Sequence, residues 1–492
     1  MHERAGQSVL QRFAPLFRPA TIAVAGASGK SVAQGNAFIR NLRQAGFEGD
    51  IYPIHPTETA IEGLPAYRSL AETPRPIDYA FVAVAAEHVP ALLAGANGRV
   101  HIAQVMSSGF GEIPEGRGLE RELVDSARHG GMRLLGPNCM GTYSSRGRCS
   151  FMAGGVDAAG SVGIMSQSGG LSMDILRIGR FRGLRYSGVV SLGNCADLDA
   201  GDLLEYYLAD PDTRVIGAYI EHIRDGRRFF EQLRAARAAK PVVILKGGRS
   251  DQGTRAAISH TGALAGGHEA WRALARQTGS VLVESLDEFI DTLAAFQVYQ
   301  SVSQPPNGRV VLFGNGGGAS VLATDCLASL GLDVAPLEPA AAEALRRLDL
   351  GAGTSVANPI DVPANVLQRE RGALAQRILE TVAAHATPWA ILMHLNLPVL
   401  LGYRHIDMVG DMIGAAQRAG ALLRGSTHVV LALRADGDPE GQARRRECSA
   451  QLADAGVAVF DDIANAARAL AAVRSYESFR FVRRERTEGT AT

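Results

Sequence analysis

Short apolar runs that end in glycine or serine and lead into amphipathic stretches recur along this chain, and that alternation limits its fold more than any other feature. TIAVAGA (21–27), DIYPI (50–54), YAFVAVA (79–85) and HIAQVMSS (101–108) read as strands, with AFIRNLRQAG (37–46) and GLERELVDSARHGG (118–131) as helices that stop on glycine. Nearly continuous apolar strands separated by helices of about 10–15 residues specify a parallel sheet covered on both faces. The pattern restarts near Gly160 with SVGIMSQSGG (161–170), SGVVSLG (187–193), RVIGAYIE (214–221) and KPVVILKGG (240–248), and SVLVESLDEFIDTLAAFQVY (280–299) closes that unit as a strand and a helix. SVSQPPNG (301–308) reads as a linker. A third unit follows, with strands in RVVLFGNGG, LDVAPLE (332–338), WAILMHLN (389–396) and THVVLALR (427–434), and a turn at ANPIDVP (357–363). GIMSQSGGLSMDIL and LFGNGGGASVLATD repeat one strand–glycine–helix element. The expected borders are 1–150, 155–300 and 301–475, with 476–492 a frayed tail.

Composition excludes several classes. Fifty basic and 50 acidic residues leave no net charge, so the basic footprint of a nucleic-acid binder is missing. Five cysteines (Cys139, Cys149, Cys195, Cys326, Cys448) form no CxxC pair; they read as thiols of a reducing, cytoplasmic compartment and not as a zinc or disulfide framework. The start MHERAGQSVLQRF has no apolar core of a secretory leader, and no run of 18 apolar residues is present to span a membrane. No metal site is expected. The chain holds 56 glycines in 492 residues, above the usual ~7%, and many follow strands, where backbone turns tightly or approaches a ligand.

Those turns are the candidate sites. Gly26-Ala27-Ser28-Gly29-Lys30 lies between a strand and a helix, where amides and the helix dipole favour phosphate. Its spacing is not GxGxxG, and Ile54-His55-Pro56-Thr57 supplies no acid at the second strand's end for a ribose hydroxyl, which argues against NAD and an oxidoreductase. Ser107-Ser108-Gly109 and Gly136-Pro137-Asn138-Cys139 follow other strands and would share the same sheet edge. Ser166-Gln167-Ser168-Gly169-Gly170 offers hydroxyls and free amides at a helix start without the GK[ST] of a P-loop, so one phosphoryl group suits it better than a whole nucleotide.

His260, in Ile258-Ser259-His260-Thr261-Gly262-Ala263-Leu264-Ala265-Gly266, sits among small residues with no other His nearer than His268. Metal pairing at i+3 or i+4 is therefore missing. Two readings stand: a loop histidine satisfied by its surroundings, and a mobile nucleophile or base. Glu221 ends the strand VIGAYI and is either an exposed strand-end charge or a carboxylate that steadies a cationic or phosphorylated imidazole.

In order along the chain, GPNCMG (136–141), SQSGG (166–170), YIE (219–221) and SHTGALAG (259–266) resemble the nucleoside-diphosphate-forming acyl-CoA synthetases, which include succinyl-CoA synthetase and the ADP-forming acetyl-CoA synthetases. The resemblance covers roughly residues 10 to 470. It implies an α/β chain with an N-terminal Rossmann-like CoA-binding domain followed by two flavodoxin-like ligase domains. It implies that His260 is phosphorylated in turnover, that Glu221 stabilises the phosphohistidine, and that Ser166, Gln167, Ser168, Gly169 and Gly170 bind the phosphoryl group. Coenzyme A would meet Gly26, Ser28, Gly29, Lys30, Ser107, Ser108, Gly109 and Asn138. Pocket walls for the carboxylic acid would come from Met173, Gly193 and Asn194, near Cys195 and Asp197. Nothing after residue 470 provides the ATP-grasp module, so ATP or ADP and Mg2+ are expected on a separate β-type partner subunit. Three departures stand out: Thr57 and Glu58 follow Pro56 where a basic residue is common, Ala85 stands where Pro is common, and Met173 takes the place of a Tyr in the succinyl enzyme. The last argues against succinate. A non-catalytic CoA or acyl-CoA sensor that keeps the fold is the alternative reading.

Overall fold

The computed structural model describes residues 7–30, 33–261 and 267–488, with side chains for all of these except 257–261 and 486–488. They form two compact units: one runs to Arg180 and resumes over Leu184–Glu284, and the other comprises Phe181–Gly183 and the chain from Ser285 onward.

Three main sheets carry the fold, and all three wind the same way. In the first, the strands lie in the order Asp50–Ile54, Thr21–Ala25, Ile77–Val82, Val100–Val105, Arg133–Leu135, every pair parallel. In the second, the parallel strands lie in the order Tyr186–Ser191, Val162–Ser166, Val215–Ile220, Val242–Lys246, Val281–Val283. The third runs Ile360–Asp361, Val310–Gly314, Ala390–Asn396, His428–Arg434, Ala458–Phe460. Each order is second–first–third–fourth–fifth, so the winding reverses between the first and third strands of every sheet. The crevice outside the carboxyl ends of those two strands is where open α/β sheets bind ligands. Thr21–Ala25, Val162–Ser166 and Val310–Gly314 are buried along their whole length, as both-face coverage by helices requires.

Within the first unit, elements from before residue 150 pack with the second sheet. Gly141–Tyr143 joins the second sheet as its antiparallel edge. The helix Val9–Phe17, started by a Ser8–Gln11 capping box, buries Phe13, Leu16 and Phe17, and Phe17 stacks on Tyr206 with ring centroids 4.1 Å apart. Tyr206 belongs to the helix Ala200–Ala209 of the second sheet. The N-terminal helix thus follows its apolar face and not its place in sequence.

Three expectations are corrected in the second unit. LDVAPLE makes only an isolated bridge from Asp333 to Arg309. Pro336 lacks the N–H a ladder needs, and Ile360–Asp361, within the expected turn ANPIDVP, takes the edge position. Val281–Val283 closes the second sheet as expected, but the helix after it, Leu286–Gln297, belongs with the other unit; Phe296 packs on Tyr476 at 5.3 Å. The expected tail continues the helix Ile463–Glu488. Its buried Glu477 accepts hydrogen bonds from Tyr299 Oη at 2.9 Å and Trp389 Nε1 at 2.8 Å, and lies 3.1 Å from His428 Nε2.

Candidate active site

In the first unit, the carboxyl-end turns of two sheets meet. Asn194 N donates to Pro137 O at 3.0 Å and Ala196 N to Gly136 O at 3.0 Å. Met140 N donates to Ser191 Oγ at 3.1 Å, and Asn138 N to Ser107 O at 3.0 Å. The turn after Val100–Val105, the turn Gly136–Asn138 and the loop after Tyr186–Ser191 are thus laced by backbone. Gly193 makes this approach possible: at φ +57° its Cβ position lies 2.5 Å from Asn138 O. No side chain fits there.

At the switch point of the second sheet, the buried Gln167 side chain ties three segments together. Its Oε1 accepts from Glu221 N at 2.6 Å and His222 N at 3.0 Å, while its Nε2 donates to His222 O at 2.9 Å and lies 3.3 Å from Cys195 Sγ. Gln167 is therefore a bracket for the strand end, not a free phosphate ligand. Ser166 Oγ donates to Ser168 O at 2.9 Å. Ser168 Oγ caps the helix Gly169–Phe181 by accepting Leu171 N at 3.3 Å. The amides of Gly169 and Gly170 lie in the first turn, ahead of any intrahelical acceptor, and form the positive end of the helix dipole. Met173 stands one turn further along the same helix.

Glu221 is 6% exposed, so the reading of an exposed strand-end charge is overturned. Its Oε1 accepts Tyr219 Oη at 2.9 Å. Gly247, just past the end of the next strand, leaves room for this pair, since a Cβ there would lie 2.7 Å from Tyr219 Oη. Two neighbours escaped the sequence reading. Lys246, 3% exposed, ends the adjacent strand, donates to Gly247 O and lies 5.9 Å from the Trp271 ring centroid. Burial pulls its ammonium below the ordinary value, against the pull of Glu221. His222, 9% exposed, has an Nδ1 sealed from solvent with no hydrogen-bond partner among the described residues. Burial lowers its pKa, with Glu221 opposing and Lys246 and Arg224 assisting, which favours neutral imidazole. The signal for both was their place beside the candidate carboxylate, one residue after Glu221 and at the end of the neighbouring apolar strand.

His260 ends the helix Asp251–Thr261, where a glycine-rich loop was expected; residues 254–261 contain neither Gly nor Pro, so helix continues. The His260 side chain and residues 262–266 lie outside the described residues, and so does any distance from His260 to Glu221.

In the first sheet, the candidate ligand amides have internal acceptors. Ser28 N donates to Asn36 Oδ1 at 2.9 Å, Gly29 N to Glu58 Oε1 at 2.9 Å and Lys30 N to Ser28 Oγ at 3.3 Å. Gly26, at φ +97°, packs against the Ala83 carbonyl, which makes it a structural glycine. Ser107 Oγ donates to Val84 O. Gly109 N and Phe110 N donate to Glu112, and Gly111 N to Glu120. Asn194 Nδ2 donates to both carboxylates, at 2.6 and 2.9 Å, and its Oδ1 lies 3.4 Å from Asn138 Nδ2. Burial raises the Glu112 pKa, but hydrogen bonds from Asn194, Gly109 and Phe110 outweigh it and hold the carboxyl below its ordinary value. Asn194 is committed to these acids and does not stand free as a pocket wall.

The third sheet repeats the device at its own switch point. Gly316 N donates to Asp361 Oδ1 at 2.6 Å, and Ser320 Oγ lies 2.9 Å from His394 Nε2. Among the described residues no cluster of three or more His, Cys, Asp or Glu side chains could hold a metal, and no helix is long and apolar enough to cross a membrane. All five cysteines are free and four are buried.

Comparison with known proteins agrees with this arrangement. Residues 20–145 match the model of a CoA binding domain, and residues 159–296 that of a succinyl-CoA ligase like flavodoxin domain. The α subunit of the ADP-forming acetate–CoA ligase I of Pyrococcus furiosus is 38% identical over 325 residues, 64% of this chain and 70% of that one. The ADP-forming 4-hydroxybutyrate–CoA ligase of Nitrosopumilus maritimus is 32% identical over 66% of this chain and 47% of its own length. The structure of acetyl-coenzyme A synthetase 1 of Ca. Korarchaeum cryptofilum, in complex with phosphate and ADP, superposes with a TM-score of 0.82 at 29% identity, over 95% of this chain and 97% of that one. Fold, switch-point turns and relatives define an acid–thiol ligase. The chain belongs to the NDP-forming acyl-CoA synthetases, as an α-type chain.

Proposed function

We propose that this chain joins a carboxylic acid to CoA at the switch point of its second sheet, with energy delivered as a phosphoryl group on His260. The carrying observation is the buried Glu221 carboxylate, on a strand end whose backbone Gln167 brackets beside the helix start Gly169–Gly170. A carboxylate there accepts the remaining ring N–H of a phosphorylated imidazole, and the first-turn amides take the phosphoryl oxygens.

The substrate carboxylate attacks phosphorus, the P–N bond to His260 breaks, and an acyl phosphate forms. The CoA thiolate then attacks the acyl carbon and phosphate leaves. The sum with ATP is acid + CoA + ATP ⇌ acyl-CoA + ADP + phosphate. CoA would enter along the turns at Ser28–Lys30, Ser107–Gly109 and Asn138, of which the last two are laced to the loop that holds Gly193. ATP and Mg2+ belong on a separate ATP-grasp subunit. Two observations support this: the Pyrococcus relative is named as a subunit alpha, and the Nitrosopumilus ligase is matched over only 47% of its length. The free, mostly buried thiols support a reducing, cytoplasmic setting.

The test is phosphate uptake. With acyl-CoA and labelled phosphate, the chain should acquire acid-labile label, and His260→Ala should acquire none. Undiminished label in His260→Ala sinks the assignment.

A further inference from the structure

Both glycine turns of the CoA-binding domain already hold an anion, and it is the chain's own. Glu58 reaches back from the segment after the second strand, and its Oε1 takes the Gly29 amide at 2.9 Å. A Cβ on Gly29 would sit 2.5 Å from Glu58 Oε2, so glycine is what lets the carboxylate in. Glu58 is set from behind: Glu58 N and Thr57 N both donate to His55 Nδ1, at 3.1 and 3.3 Å. That leaves the His55 proton on Nε2, which lies 3.8 Å from Glu58 Oε1. The second turn is built alike, with Glu112 on the amides of Gly109 and Phe110 and Glu120 on Gly111. A Cβ on Gly111 would likewise lie 2.5 Å from Glu120 Oε1.

An amide hydrogen bond to a carboxylate is a charge-assisted interaction of the kind a phosphate makes. It holds the same donors, and its charge repels a second anion nearby. We propose that Glu58 sets the affinity and selectivity of the CoA-binding turn: its carboxylate occupies the Gly29 amide as an internal competitor, which a phosphate-bearing thiol must displace. The inference rests on the reading that this turn binds CoA. It explains the acid found where a basic residue would suit a polyanion. The cost falls on the phosphates of the ligand, so a phosphate-free thiol such as pantetheine does not feel it.

Glu58 suits substitution, because its side chain keeps 32% of its surface exposed and its loss breaks no core packing. The experiment is calorimetric titration of the full chain with CoA and with pantetheine, for the wild type, Glu58→Gln and Lys30→Ala, at low and high salt. Glu58→Gln should tighten CoA about three- to tenfold at low salt, by removing one like charge near the phosphate. The gain should shrink at high salt, and pantetheine should be unchanged. Lys30→Ala should weaken CoA. If Lys30→Ala weakens CoA while Glu58→Gln leaves it unchanged, the competitor role is wrong. Weakening by Glu58→Gln overturns it too, and shows a carboxylate that accepts a ligand hydroxyl. If neither variant changes CoA binding, the turn is not the CoA site and the underlying reading falls with it.

Discussion

A carboxyl group kept at 6% exposure needs partners that offset its lost hydration. Glu221 has Tyr219 Oη on one oxygen and a buried lysine on the adjacent strand. Substituting Glu221→Gln keeps the shape and the Tyr219 contact but removes the acceptor charge for an imidazolium. Label trapped on the protein from acyl-CoA and phosphate should drop about a hundredfold, as when one preorganised electrostatic partner is removed, while the circular dichroism stays native. Label at the wild-type level in that variant removes Glu221 from the mechanism. His394 gives a stability test in the other unit. Burial lowers its pKa to about 4, with Asp361 opposing. The unfolded chain protonates this ring near 6.5, and the folded one only near 4. Stability is therefore full above ~6.5 and declines as pH falls towards 4, by about 3 kcal/mol over the interval. In His394→Gln the denaturation midpoint of that unit should fall less steeply between pH 6.5 and 4. Equal slopes for both proteins would remove His394 as the source.

At the scale of elements, helix starts and strand ends carry the chemistry. Ser168 caps the helix Gly169–Phe181, so Ser168→Ala should cost about 1 kcal/mol of stability, read from the denaturant midpoint. It should also weaken phosphate retention, because the cap fixes the direction of the first-turn amides. Gly193→Ala belongs to the same scale. Its Cβ would press on the Pro137 and Asn138 carbonyls at φ +57°, and a loss of about 1–3 kcal/mol is expected. The strands and their turns were legible because apolar runs and glycines are local signals. Glu221 was legible as a strand-end acid, though its burial was not. Glu58 was illegible as an amide partner, because a carboxylate that folds back across 29 residues to Gly29 leaves no local trace; Glu112 lies only two and three residues from its amide donors, within the turn itself. The packing of the helix Val9–Phe17 and of the last helix left no local trace either: Phe17 and Glu477 find partners that only the tertiary fold brings near. LDVAPLE misled through its apolar alternation, which Pro336 overrides.

At the scale of the whole molecule, three sheets of one winding give three switch points, each with a glycine turn opposite a polar strand end. The first lies in the CoA-binding domain and the second holds Glu221; both belong to one compact unit. On the proposed mechanism, acyl transfer between CoA and phosphate needs only those two, since acyl-CoA and phosphate would be converted there to acid, CoA and a phosphorylated histidine. Phosphoryl transfer to ADP needs a nucleotide site, which the proposal places on a β-type subunit. The two half-reactions should therefore separate. The chain alone, given acyl-CoA and phosphate, should release free CoA up to about one equivalent per chain and then stop. Adding an ATP-grasp β-type subunit with ADP and Mg2+ should convert that single burst into steady turnover with ATP formed. Both are read by thiol titration and luminescence in one cuvette. Steady turnover with ADP and Mg2+ but no second subunit would place the nucleotide site on this chain and overturn the division of labour.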